Sequence, residues 1–358
     1  MAVAISEHRY GHRCIYCQAC PWHETTQSEE DVESKTKNKQ TRAQIERMTA
    51  RAFNGLGLAD GEETVRELKE GWFNAAYSVR LADGREVILK IAPPQDANVL
   101  QYEKNIMATE VASMRLVRQN PAIPVPAIYF FDDARDLCDA EYFFMEKIEG
   151  ENMAHVWERL PAEAQEACGL RIGAIIRAIN TFPGVYFGYD GNPALRAESW
   201  KAAFLKFMDA LFEDAARKQA VFDYSYAEIR DAILKHAAAL EEVTSPCLVH
   251  WDAWAPNFFI KDGTITGIID FERALWAEPL MEAQFRQLYG EGGVNAAMRG
   301  YGKTTFTFAE EQRNQLYSLH LALTMNIECY YRNYDTDDIF NLSRQLIGAA
   351  MEWLQANP

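Results

Sequence analysis

Asp252, Asn257 and Asp270 have the types and the spacing that transfer of a phosphoryl group to a hydroxyl requires. The first two stand in His250-Trp251-Asp252-Ala253-Trp254-Ala255-Pro256-Asn257, an H-x-D-x-x-x-x-N pattern. The third follows thirteen residues after Asn257, in Ile268-Ile269-Asp270-Phe271-Glu272. In such a transfer one carboxylate orients the attacking O–H and accepts its proton, while oxygen ligands hold magnesium against the phosphates. A loop Asp with an Asn five residues on puts a base and a metal ligand on one turn, and a hairpin over 258–269 brings Asp270 back beside them. Asp252 is therefore expected as the base, with Asn257 and Asp270 as Mg2+ ligands. Each residue alone is common; the order and spacing together are specific.

A second signal lies upstream. Val87-Ile88-Leu89-Lys90-Ile91 puts one cation inside an otherwise apolar strand, which is costly unless the ammonium finds an anion. The phosphates of ATP would be such an anion.

Together these residues resemble the aminoglycoside phosphotransferase family, small-molecule kinases with a protein-kinase-like fold, over roughly residues 60–290. The resemblance implies an enzyme that binds ATP between two lobes and phosphorylates a hydroxyl of an antibiotic or small metabolite. Lys90 then matches the family's nucleotide lysine, which a helical glutamate should brace. Glu110 is preferred to Glu103 for this, because it sits mid-helix beside Met107, Val111 and Met114, whereas Glu103 lies near the first turn, where acidic caps are common.

By the same match, Glu70-Gly71-Trp72-Phe73-Asn74 looks like a degenerate phosphate loop, with Gly71 and Asn74 at the nucleotide. Met145, Glu146 and Ile148 resemble the strand and hinge that read adenine, Glu146 and Ile148 through backbone groups and Met145 behind the base. Two departures matter. Trp251 stands where the family's loop often has Gly, and Phe271-Glu272 stands where protein kinases have Phe-Gly, which argues against an activation segment. A choline, amino-acid or sugar-amine kinase fits the same scaffold, and a silent nucleotide-binding pseudokinase is the rival from another class. The choice between ATP and GTP stays open.

With 36 Lys and Arg against 52 Asp and Glu, the net charge of -16 argues against nucleic acid as a partner. It suits solubility and, more weakly, a cationic acceptor. Glu278, Glu282, Asp335, Asp337 and Asp338 are candidate carboxylates for such a cation, and Trp254, Trp276, Tyr289, Tyr330 and Tyr331 candidate aromatic walls; none is assigned a role. No run approaches the roughly 20 apolar residues of a membrane span, so a cytoplasmic protein is expected. Cys138, Cys168, Cys247 and Cys329 are scattered through apolar surroundings and read as reduced thiols. Cys14, Cys17 and Cys20 lie near His8, His12 and His23, but no second ligand couple follows, and no metal is expected there.

These side chains need an α+β, bilobal frame: a disordered extension over 1–41, a nucleotide lobe over 42–149 and a catalytic, mainly helical lobe over 150–358. Apolar periodicity predicts a helix from Thr41, strands over 64–68, 75–81 and 86–91, a helix over 99–117, and strands over 127–131 and 142–148. Beyond Gly150 it predicts helices near 161–181, 199–219, 225–241, 279–289, 309–331 and 337–354. The strand pair 258–261 and 265–269 is the only clear β-structure there.

Overall fold

The computed structural model describes residues 37–69, 73–286, 294–332, 334 and 336–358. Gly71, the N-terminal Cys/His group, Tyr289 and Asp335 lie outside the described residues.

Helix α1 (Arg42–Ala52) starts at a capping box: the Thr41 side chain accepts from the Gln44 amide, and the Gln44 side chain accepts from the Thr41 amide. Its buried face carries Ile45, Met48 and Thr49. The residues just before it, assigned by composition to the extension, are tied to the fold. The Gln40 amide donates to Tyr77 Oη at 3.0 Å, and Lys37 Nζ to the Lys69 carbonyl at 3.1 Å.

Strands β1 (Val65–Leu68), β2 (Ala75–Arg80), β3 (Glu86–Ile91), β4 (Ile128–Asp132) and β5 (Tyr142–Glu146) form one antiparallel sheet in the order β1-β2-β3-β5-β4. Arg51, in the last turn of α1, fastens that helix to β4 through Asp132 at 2.8 Å. Period-two alternation buries Val87, Leu89 and Ile91 on one face of β3 and sends Ile88 and Lys90 to the other.

Helix α2 (Ile106–Val117) begins seven residues later than the periodicity predicts. Residues 101–103 instead make a 3-10 turn, and Asn105 takes a left-handed φ of 51°. The reason is tertiary. The Gln101 amide donates to Asp214 Oδ2, Asn192 Nδ2 to the Gln101 carbonyl and Asn105 Nδ2 to the Gly191 carbonyl, each at 2.9 Å. A Cβ on Gly191 would stand 2.1 Å from the Lys104 carbonyl oxygen, so glycine permits this approach of the two lobes.

The second lobe contains β6 (Glu151–Asn152), α3 (Met153–Val156), α4 (Ala162–Ile179), α5 (Trp200–Arg217), α6 (Tyr226–His236), β7 (Cys247–Val249), β8 (Phe258–Lys261), β9 (Thr264–Ile268), β10 (Leu275–Ala277), α7 (Ala296–Tyr301), α8 (Phe308–Arg332) and α9 (Asp338–Ala356). Strands β6, β8 and β9 form one small sheet, and β7 pairs with β10; β6, β7 and β10 are too short for periodicity to reveal. Over 279–286, the described part of the predicted 279–289 helix, no α-helix forms. Leu280, Met281 and Phe285 are buried, as their spacing suggests, but on two 3-10 turns, Pro279–Met281 and Ala283–Phe285, with an extended Glu282 between them.

A shared apolar core joins the lobes. It includes Val111 and Met114 of α2, Phe143 and Met145 of β5, Ile172 and Ile176 of α4, and Phe258, Ile268 and Phe271 around the hairpin. Cys138, Cys168, Cys247 and Cys329 are unpaired thiols. Among the described residues, no helix is long and apolar enough to cross a membrane.

Candidate active site

Lys90 meets the chemistry-bearing residues of both lobes. Its Nζ lies 2.8 and 3.0 Å from the two Glu110 oxygens, 2.5 Å from Asp270 Oδ1 and 3.3 Å from Glu272 Oε2. Glu103 is engaged elsewhere: Oε2 accepts the Leu100 amide at 2.8 Å, and Oε1 accepts Arg332 Nη2 at 2.5 Å.

Hairpin β8–β9 sets Asn257 beside Asp270. Phe258 pairs with Ile268, and the Ile269 amide donates to the Asn257 carbonyl at 3.0 Å. The turn between the strands is Asp262-Gly263, with φ of 50° and 73°, the two positive values a tight hairpin turn needs. Asn257 Nδ2 donates to the Asp252 carbonyl at 2.8 Å; its Oδ1 has no protein donor among the described residues.

Like Asp262 of the turn, Trp251 and Asp270 on either side of the hairpin hold a left-handed backbone, each at φ 70°. For an L-residue that region costs roughly 1–2 kcal/mol, so the surroundings must hold it. Glu282 does part of this: Oε1 accepts the His250 amide at 2.9 Å, and Oε2 accepts the Trp251 amide at 3.2 Å. Arg286 donates to the Trp251 carbonyl, and its Cζ stands 4.4 Å from the Trp251 ring. Positive φ is also the physical reason a glycine suits this position.

Glu282 is thus a buried scaffold group and not a surface charge for a cation. Glu278 is similar: its two oxygens each lie 3.0 Å from Arg313 Nε. His250 anchors the loop from below, its Nε2 3.0 Å from the Ile269 carbonyl. Burial pushes its pKa down to about 4, which keeps it neutral with the proton on that nitrogen.

Glu110, Asp270 and Glu272 each bring an oxygen within 4.8 Å of the others, with one ammonium among three carboxylates. Burial pushes Glu110 up to about 8 and Glu272 up to about 7, against the pull of Lys90. Burial also disfavours the Lys90 ammonium, but Asp270, Glu110 and Glu272 together hold its pKa well above the ordinary value. For Asp270 burial pushes the pKa up, but the Lys90 charge and hydrogen bond, together with His250 and Arg273, hold it below the ordinary value. The surplus of carboxylate oxygens is of the kind that a hard divalent cation such as Mg2+ takes.

Asn74 ties the β1–β2 connection to this cluster, its Nδ2 donating to Glu272 Oε2 at 2.6 Å. Asp252 Oδ2 lies 4.0 Å from Arg273 Nε; burial raises its pKa, and Arg273 opposes the rise. Arg273 in turn donates to Glu328 Oε1 at 2.9 Å. Sequence reasoning gave no role to Glu272, Arg273, Arg286 or Glu328. One signal was available: Glu328 and Arg332 are opposite charges one turn apart near the end of α8, a helix that is largely buried.

Met145 is buried and pairs with Ile88 and Ile128. The Glu146 amide donates to the Ala127 carbonyl at 2.8 Å, and its Oε2 accepts the Ala127 amide at 3.0 Å. Ile148 packs on Gly267 of β9, where a Cβ would come 2.4 Å from Ile148 Cδ1. An open cleft of about 960 Å³ runs along this connection, lined by Arg80, Glu86, Lys147, Ile148 and Lys261 among others. Its cations pair with Glu86 and Glu149, and it shares no residue with the carboxylate cluster.

A five-stranded sheet whose strand lysine meets a helical glutamate, set on a helical lobe that presents Asp252, Asn257 and Asp270, has the architecture of protein-kinase-like phosphotransferases. The chain belongs to the phosphotransferase enzyme family, whose sequence profile matches residues 64–310.

Solved structures share the fold. A candidate fructosamine-3-kinase from Haemophilus somnus superposes with a TM-score of 0.61 at 14% identity, covering 86% of this chain and 96% of that one. A thermostable variant of aminoglycoside phosphotransferase APH(4)-Ia, solved with ADP and hygromycin B, gives 0.58 at 17%, covering 86% and 98%. APH(2")-IIa with streptomycin and ATP gives 0.59 at 16%, covering 88% and 99%. Subtelomeric hrmA-associated cluster proteins from two strains of Aspergillus fumigatus are 32% identical over 119 residues, which are 33% of this chain and 23% of each relative.

Proposed function

We propose that this chain is an ATP- and Mg2+-dependent kinase that phosphorylates a hydroxyl of a small molecule. The observation that carries the reading is the convergence of Lys90 and Glu110 from one lobe with Asp270, and through Asn257 with Asp252, from the other. Residues 42–149 would form the nucleotide lobe and 150–358 the catalytic lobe. A cytoplasmic location fits this reading.

In the reaction the acceptor oxygen attacks the γ-phosphorus of ATP, and the bond from that phosphorus to the bridging oxygen of ADP breaks. The hydroxyl proton passes to the Asp252 carboxylate, which also orients the O–H for attack. Lys90, steadied by Glu110, holds the phosphates. Asp270 and Asn257 Oδ1 would hold Mg2+, with Glu272 as a further oxygen at hand; the ion's chemistry is to neutralise charge between the phosphates. Asn74, bonded to Glu272, would face the phosphates from the end of the loop, and Gly71 would bind phosphate through its amide. Met145 would back the adenine, with Glu146 and Ile148 at its edge. The Glu146 amide is bonded to Ala127, so this reading would use the Glu146 carbonyl and the Ile148 amide at the base.

The test is magnesium-dependent ATP consumption across aminoglycosides, macrolides, choline, amino acids and sugar amines, with Asp270→Ala as control. Stimulation by one acceptor that is lost in the control supports the kinase and names its acceptor. Absence of any Mg-ATP binding overturns it in favour of a silent fold relative.

A further inference from the structure

We propose that Glu328 and Tyr102 are positioning residues for the transfer: they hold the Arg273 guanidinium against Asp252 and so fix the orientation of the base. The inference rests on the kinase reading above. Between Asp252 and Asn257 the chain runs Ala253-Trp254-Ala255-Pro256, so the loop itself offers no cation to steer the carboxylate. Arg273 supplies one from the segment after the hairpin, its Nε 4.0 Å from Asp252 Oδ2.

A long side chain at that distance steers nothing unless it is itself fixed. Arg273 is fixed on three sides. Its Cζ stands 5.2 Å from the Trp251 ring and 5.6 Å from the Tyr102 ring, and Nη2 donates to Glu328 Oε1 at 2.9 Å. That same Glu328 oxygen accepts the Tyr102 hydroxyl, while Oε2 lies 3.2 Å from Arg332 Nη1. Arg332 continues to Glu103.

The result is a string of alternating charges, Asp252, Arg273, Glu328, Arg332 and Glu103, that crosses from the catalytic loop through α8 to the turn preceding α2. Glu328 is its middle member. Losing that charge leaves Arg273 held by rings alone, able to swing, and lets the Asp252 carboxylate rotate out of line. Tyr102 contributes from the opposite lobe, so the arrangement is complete only when both lobes are docked.

The experiment measures ATP hydrolysis with water as acceptor, plus nucleotide affinity and melting temperature, for full-length Glu328→Gln, Tyr102→Phe, the double variant and Glu103→Gln. Expected for Glu328→Gln is a fall in kcat of about tenfold to a hundredfold, the scale of an ångström-level misplacement, with the KM for ATP unchanged. Tyr102→Phe should lower kcat severalfold and cost nothing further in the Glu328→Gln background. Glu103→Gln, at the far end of the string, should keep kcat within about twofold even where it lowers the melting temperature.

A folded Glu328→Gln with wild-type kcat overturns the proposal. So does an equal loss in Glu103→Gln, which would make the string structural. If Glu328→Gln fails to fold, Tyr102→Phe decides alone, and an unchanged kcat there overturns it. A wild-type chain that neither binds nor hydrolyses Mg-ATP overturns the kinase reading, and this inference with it.

Discussion

Lys90 Nζ lies 2.5 Å from Asp270 Oδ1, closer than to either oxygen of Glu110. The cation assigned to the phosphates and a carboxylate assigned to the metal are therefore bonded to each other. Nucleotide with its metal would replace that contact by two others, Lys90 to phosphate and Asp270 to Mg2+. Until then the closed pair keeps either charge from standing buried and unpaired.

The first prediction concerns Lys90→Met. It leaves Glu110, Asp270 and Glu272 without their ammonium, and removing one partner of a buried ion pair costs about 3–5 kcal/mol. Urea unfolding of the nucleotide-free chain should show that loss, and Mg2+ alone should recover part of it in the variant. No recovery at millimolar Mg2+ would mean the carboxylates do not bind the ion.

Stability should also depend on pH in a defined window. Glu110 and Glu272 have folded pKa values raised to about 8 and about 7, and Glu282 is raised by burial to about 7. A raised carboxylate contributes stability that is present below its unfolded pKa and is lost as pH rises through the folded value. His250 and His320 act in the opposite sense: burial pushes them down to about 4 and about 3, so their contribution is present above about 6.5 and lost as pH falls. Above pH 6.5 only the carboxylates act. The melting temperature without ligand should fall between pH 6.5 and 8, and Mg-ATP should flatten the slope. A slope that persists unchanged with Mg-ATP would count against Glu110 and Glu272 as part of the cation site.

Asp252→Asn removes the proposed proton acceptor and keeps the shape. Turnover should drop by roughly 10²–10⁴, the usual range for a lost general base, with ATP affinity intact. Because burial already disfavours the Asp252 charge, the variant should melt no earlier than the parent. Single-turnover kinetics and calorimetry check both; a wild-type rate refutes the base assignment.

Glu282→Gln replaces one of two acceptor oxygens by a donor facing the His250 or Trp251 amide. Leaving a buried donor unpaired costs about 1–3 kcal/mol, which chemical denaturation should register, and the loosened loop should lower kcat. A variant as stable and as fast as the parent would show that Arg286 and the packing of Trp251 hold the left-handed turn alone.

The loop of Asp252 and Asn257 and the hairpin after it were legible in the sequence because their geometry is local: the Asn257–Asp270 separation fits one hairpin closed by Asp262-Gly263. Lys90 was legible because a strand alternates faces, so a lone charge stands out. The start of α2 was not, since Gln101, Asn105 and their partners are contacts with Gly191, Asn192 and Asp214, roughly a hundred residues away. The segment over 279–286 misled for a similar reason: apolar spacing reports which residues are buried, and two 3-10 turns bury the same residues as a helix would.

By itself, then, the sequence determined the small sheet, the helical lobe, the loop Asp and Asn, the hairpin Asp and the strand lysine, because each follows from spacing along one element. Only the tertiary structure decided which carboxylates pair with which cations. Glu110 and not Glu103 meets Lys90, Glu272 meets Asn74, Glu282 meets the loop amides, and Glu328 meets Arg273. Such pairings depend on where distant elements pack and on which side chains lose water together, and neither is written in the spacing of residues along the chain.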